Sequence, residues 1–292
     1  MEASNAATPP IAVIRDEELL QKATKKEYTQ TPEGPLYLHI FEPKNHVEDQ
    51  RRSAIIFFHG GNWDQSMVTQ FAPQAINFAS LGMIAIVAEY RTSSQHDSNP
   101  IDAVEDAQNA ILWMRQNHHK LGINPEKIVA AGSGSGAHLA LCAALHKRVI
   151  HDESHTSKPN ALILWSALID TTKHGNGMEL FTSAREARLT SPTKNVRRKS
   201  PPMIFFHGQE DPFIPIQQVE RFCSRLSRKK NDIRFVPYSR ATHSFFNFNV
   251  NQHYFISTLE AAEAFLHYHH FLEQTSNPSE LEPQTYRTQP RS

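Results

Sequence analysis

Short runs of consecutive apolar residues alternate along this chain with longer stretches in which apolar positions recur every three to four residues. The runs are rich in β-branched and aromatic side chains, as strands buried on both faces require. They cover Leu36 to Phe41 near an edge, then Ala54 to Phe58, Met83 to Ala88, Lys127 to Ala131, Ala161 to Trp165, Met203 to His207 and Ile233 to Pro237. The stretches between them predict amphipathic helices over Thr69 to Leu81, Asp102 to Leu121, Gly136 to Arg148, Ile216 to Arg228 and Phe255 to Glu273. In the second of these, Ala103, Ala107, Ile111, Leu112 and Met114 fall close to one face, while Glu105, Gln108 and Gln116 point elsewhere. Asn124-Pro125 marks a turn between that helix and the next strand. The alternation predicts an α/β fold with a mainly parallel central sheet and helices on both faces.

Thr171 to Pro202 is polar, basic near Arg197, Arg198 and Lys199, and weakly patterned, which predicts a long excursion between strands. In such folds excursions of this kind often cover the ligand site. Residues 1–20 are expected to be a flexible segment and 274–292 a disordered tail, because TSNPSELEPQTYRTQPRS offers almost nothing to bury. Residues 21–273 are expected to form one domain, since α/β folds reach this length around a single sheet.

Charge removes several function classes. Thirty Lys and Arg cancel thirty Asp and Glu without a long block of either sign, so nucleic acid and anionic membrane are not expected partners. The partner expected is a small molecule or another protein. No segment approaches the roughly 20 apolar residues of a membrane span, and the start lacks the basic-then-apolar order of a secretory signal. Cys142 and Cys223 are far apart and lie inside predicted helices, so they read as reduced packing cysteines. A cytoplasmic location follows as the expectation. No cofactor or metal is expected: His267, His269 and His270 read as solvated or packing histidines lacking a carboxylate at helical spacing.

Four stretches at the carboxyl ends of predicted strands, where open α/β sheets bind their ligands, carry the candidate chemistry. His59-Gly60-Gly61-Asn62-Trp63 follows the first buried strand, and its glycines let backbone N–H groups turn toward a cavity. Ile128 to Leu145 (IVAAGSGSGAHLALCAAL) runs strand, glycine-rich turn, helix, the context of a nucleophile elbow. His207-Gly208-Gln209-Glu210-Asp211-Pro212 and Thr242-His243-Ser244-Phe245-Phe246-Asn247 follow two later strands.

Together these stretches resemble the hormone-sensitive-lipase-like branch of the α/β-hydrolases, and within it the acetyl-xylan and feruloyl esterase-like members. The resemblance runs from about Leu36 to Asn247 and includes Tyr90-Arg91 and Leu121 to Pro125. The family elbow reads Gly-x-Ser-Ala-Gly-Gly-His-Leu-Ala. Matching it on Gly132 and on Gly136 to Ala140 puts the nucleophile at Gly134, so the serine is absent. The resemblance further implies that His243 is the catalytic base, that Asp211 orients it, and that N–H groups of Gly60, Gly61 and Ser135 hold an oxyanion. His59, Asn62 and Trp63 would line the substrate pocket. Departures from the family gather near the site: Asn62 stands for a third glycine, Ser244 follows the histidine, and Gln65 and Ser66 fill places where glycines are usual.

What this implies is short-acyl ester hydrolysis of the carboxylesterase type, weak or absent for want of the nucleophile. Rescue by Ser133 or Ser135, chemistry without a covalent step, and a silent pseudo-hydrolase that binds a ligand or a protein stay open.

Overall fold

Successive side chains of a strand face opposite ways, so a run that is apolar at every position needs cover on both sides. In the computed structural model, which describes residues 11–146 and 150–273, that cover comes from helices on each face of one sheet. The strands are β1 (Thr24–Thr31), β2 (Gly34–Phe41), β3 (Arg52–Phe58), β4 (Ile84–Ala88), β5 (Ile123–Ser133), β6 (Ala161–Trp165), β7 (Met203–Gly208) and β8 (Ile233–Tyr238). The eight lie in the order β1-β2-β4-β3-β5-β6-β7-β8. β2 pairs antiparallel with β1 and β4, and every later pairing is parallel.

The helices are α1 (Ile11–Leu20), α2 (Ala72–Ser80), α3 (Pro100–Gln116), α4 (Ser135–Leu145), α5 (Ala184–Thr190), α6 (Ile216–Arg228) and α7 (Gln252–Tyr268). On one face Ile55, Phe57, Val129, Ile163 and Phe206 meet Phe78 of α2 and Phe265 of α7. On the other, Ile56, Phe58, Ala130, Leu164 and Phe205 meet Ile111 of α3, Leu141 of α4 and Phe222 of α6. Each such Val, Ile, Leu or Phe side chain, fully buried, contributes about 1.5–3 kcal/mol. A capping box fixes the start of α3: Ile101 N–H donates to Asn99 Oδ1 (2.8 Å) and Asn99 N–H to Asp102 Oδ2 (2.9 Å). The Arg91 guanidinium, just past β4, grips Asp106 of the same helix through Nε (2.9 Å) and Nη2 (2.8 Å).

Several expectations need correction. Residues 1–20 are not all loose: α1 begins at Ile11, with Leu19 and Leu20 packed on the core and Asp16 Oδ2 accepting from Asn249 Nδ2 at 2.8 Å. Residues 1–10 and 274–292 lie outside the described residues, as do the last two of the helix expected to reach Arg148. Asn124-Pro125 sits inside β5 rather than in a turn, and Pro125 is tolerated where pairing with β3 shifts register. Val68–Phe71 forms a 3-10 turn before α2, and α3 ends at Gln116 rather than Leu121. His267 does have a carboxylate at helical spacing, Glu263, at 3.5 Å.

The excursion after β6 contains α5 and two 3-10 turns, Met178–Leu180 and Pro192–Lys194. Cys142 Sγ donates to Thr190 O (3.1 Å), and burial pushes the Cys142 and Cys223 thiols up, so neither is a thiolate near neutrality. Among the described residues no His, Cys, Asp or Glu cluster could hold a metal, and no helix is long and apolar enough to cross a membrane.

Candidate active site

The site forms where β5 passes into α4. A Cβ on Gly136 would stand 2.0 Å from Phe58 O, so only glycine lets α4 lie this close to β3. Gly134, between strand and helix, has φ 52° and ψ −116°, a conformation that residues with a Cβ avoid. A Cβ built there points at the His243 ring, 3.4 Å from Nε2 and 3.9 Å from Cε1. Among the described residues, chain neighbours aside, nothing else lies within 4 Å of it.

His243 is on the loop after β8, and its Nδ1 stands 2.8 Å from Asp211 Oδ2 on the loop after β7. The other Asp211 oxygen accepts from the N–H groups of Phe213 (2.9 Å) and Ile214 (3.0 Å). Burial opposes ionisation of Asp211, but the His243 hydrogen bond and charge, with those two N–H groups, hold its carboxyl below the usual range. Ser166, immediately past β6 at φ 43°, donates its hydroxyl to His243 O at 2.7 Å and anchors the histidine's backbone. His207, buried and kept neutral by burial, donates from Nε2 to Ile214 O (2.8 Å), closing the loop that carries Asp211.

Opposite them, the loop after β3 turns through three successive positive φ values, Gly61 at 109°, Asn62 at 55° and Trp63 at 57°. A Cβ on Gly61 would meet Gln65 O at 2.3 Å, whereas Asn62 is a residue type that enters this region at modest cost. Ser135 is the first residue of α4, so its N–H has no acceptor within the helix.

The structure therefore brings Gly134, Asp211, His243 and Ser135 together but moves three other expected site residues. The Gly60 N–H is not turned to the site: it donates to Gln70 Oε1 at 2.8 Å, which also accepts from Ser133 Oγ at 3.0 Å. His59 is fully buried, its Nδ1 donating to Gly60 O (2.5 Å) and its ring stacked 4.2 Å from Tyr90, so it cannot line a pocket. Trp63 is buried too, packed against His138 and Phe181. Asn62 alone of the three pocket candidates is exposed. Gln70, Ser166 and Phe213 were not singled out by sequence, because each acts through contacts distant in the chain or lies beside a motif.

His59 and His138 are fully buried, and burial lowers them to about 4 and about 3. The unfolded chain protonates both near pH 6.5, so below that pH it holds more protons than the folded chain. Stability is then present above about pH 6.5 and lost as the pH falls toward 4. Denaturant titrations should show each histidine adding up to about 1.4 kcal/mol per pH unit to that slope. His138→Leu is expected to remove its share, and an unchanged slope would show that His138 does not titrate this way.

These features and this sheet define the class: the chain is an α/β-hydrolase of the carboxylesterase type. It belongs to the BD-FAE family, whose model matches residues 38–226. Among solved structures it is similar to a thermophilic esterase of Thermogutta terrifontis with propionate bound, at 34% identity and TM-score 0.83 over 88% of this chain and 98% of that one. The same esterase, phosphonylated by sarin, matches at 33% identity and TM-score 0.83 over the same shares. Curated relatives include endo-1,4-beta-xylanase B of Butyrivibrio fibrisolvens, 25% identical over 68% of this chain and 33% of that one. Another is isoprenylcysteine alpha-carbonyl methylesterase ICME of Arabidopsis thaliana, 26% identical over 74% of this chain and 55% of that one. The chain thus spans about a third to a half of the length of the curated relatives it matches.

Proposed function

We propose that this chain binds small ester-like molecules in a carboxylesterase-type site and hydrolyses them slowly, Gly134 standing where such a site has its serine. The observation that carries the reading is the direction of the Gly134 Cα–Cβ vector, which ends 3.4 Å from His243 Nε2 while His243 Nδ1 is held by Asp211 at 2.8 Å. Base and orienting acid are set as in an acyl-transfer triad whose third member is a glycine. With Nδ1–H on Asp211, the Nε2 lone pair faces the space over Gly134. A water there gives its proton to Nε2 and attacks the ester carbonyl, the N–H groups of Gly61 and Ser135 hold the oxyanion, and Nε2 returns the proton to the leaving alkoxide. This route is slow, since loss of the serine alone costs about six powers of ten in serine hydrolases.

A second reading, a silent binder, is favoured by Gln70, whose Oε1 occupies the Gly60 N–H. Turnover of p-nitrophenyl acetate tests the two. Slow hydrolysis abolished by His243→Ala supports the first, and a rate equal to buffer supports the second. A fluorophosphonate probe is expected to leave the native chain unlabelled. Ser133 Oγ is committed to Gln70, and Ser135 is buried beside Tyr90, so neither presents an activated hydroxyl. Stoichiometric labelling at either serine would return the nucleophile to them.

A further inference from the structure

We infer that Phe213 is the wall against which the alcohol part of the ester lies, so that the site favours esters of apolar, aromatic alcohols. Phe213 is 62% exposed, an uncommon condition for a large apolar ring, and its ring centroid is 5.3 Å from that of His243 at an interplanar angle of 84°. Its backbone is fixed on both sides: N–H donates to Asp211 Oδ1 (2.9 Å), and the carbonyl accepts from Asn176 Nδ2 (3.1 Å) on the excursion after β6. The ring is thus held in water beside the histidine by the same loop that presents Asp211.

The side of the ester it meets follows from the chemistry. His243 returns its proton to the leaving oxygen, so the leaving alcohol must sit on the His243 side of the carbonyl, next to this ring. An aromatic alcohol there removes the exposed Phe213 surface from water and gains ring-to-ring contact. The acyl chain extends away from His243 and leaves the ring uncovered. This inference rests on the proposed role of His243, and its test separates the two.

Affinities of the native full-length chain for methyl acetate, benzyl acetate and methyl butanoate, measured by NMR titration, are compared with those of Phe213→Ala and Phe213→Leu. The benzyl-to-methyl ratio is expected to fall about tenfold in Phe213→Ala and less in Phe213→Leu. The butanoate-to-acetate ratio should hold. An unchanged benzyl-to-methyl ratio, or an equal fall in the acyl ratio, overturns the inference. The same ratios in kcat/KM are then measured with Gly134→Ser as background. If that background hydrolyses nothing while the binding ratio falls, the proposed chemistry fails and the Phe213 wall stands. If it hydrolyses esters with the same alcohol preference whether or not Phe213→Ala is present, the wall fails and the chemistry stands.

Discussion

Gly134→Ser is expected to raise kcat for short p-nitrophenyl esters by roughly 10^4 to 10^6, because on the proposed reading it supplies the one absent member of the triad. The geometry is favourable. The new Cβ meets only the His243 ring, at 3.4 Å from Nε2, so a hydroxyl carried on it comes within hydrogen-bond reach of the base without displacing a neighbour. The backbone already holds φ 52° and ψ −116°, so no rearrangement of the turn precedes catalysis. The cost is a Cβ in a conformation that only glycine takes freely, about 1–3 kcal/mol. Thermal unfolding of the serine variant should fall by several degrees, at about 2–4 °C per kcal/mol for a domain of this size. A folded serine variant without activity would overturn the proposed chemistry and favour the silent binder, with the Gly60 N–H held by Gln70. Activity with no loss of stability would mean that the turn carries no strain.

What the sequence made legible follows physical rules. β3, β4, β6 and β7 could be read because a strand covered on both faces is apolar at nearly every position. β1 could not: TKKEYTQT is an edge strand with charged, exposed side chains, and its pairing comes from backbone bonds to β2 that leave no pattern. The elbow was legible because Gly132 and Gly136 are demanded by local backbone approach, as their near-contacts with Phe58 O demonstrate. Gln70 was not, since it lies in a helix-like stretch and its bond to Ser133 spans 63 residues. His59 shows the reverse error. Its place in the His-Gly-Gly stretch marked it for the pocket, but its ring turns inward to Gly60 O and Tyr90, bracing the loop from behind.

With Gly134→Ser as background, Asp211→Asn is expected to lower kcat about 10^4-fold. Asn Oδ1 can keep the bonds from Phe213 and Ile214 N–H, so the loop and the Phe213 backbone stay in place. The change falls on the other atom, which faces His243 Nδ1 at 2.8 Å. A carboxylate oxygen there accepts Nδ1–H and leaves Nε2 bare. An amide nitrogen donates instead, which forces the proton onto Nε2, where it can no longer take one from the serine. Stability gives a second readout. Asp211 is depressed in the folded chain, so its contribution is full above the unfolded carboxyl pKa, near 4, and is lost as the pH falls through the lower folded value. Asp211→Asn removes that acid-side loss, so its melting temperature should decline less than that of the parent below pH 4. A variant that loses activity but keeps the parent's acid dependence would place the ionised carboxylate of Asp211 outside the stability of this loop. A variant that keeps full activity would mean that His243 takes its proton without Asp211, and the triad reading would fall with it.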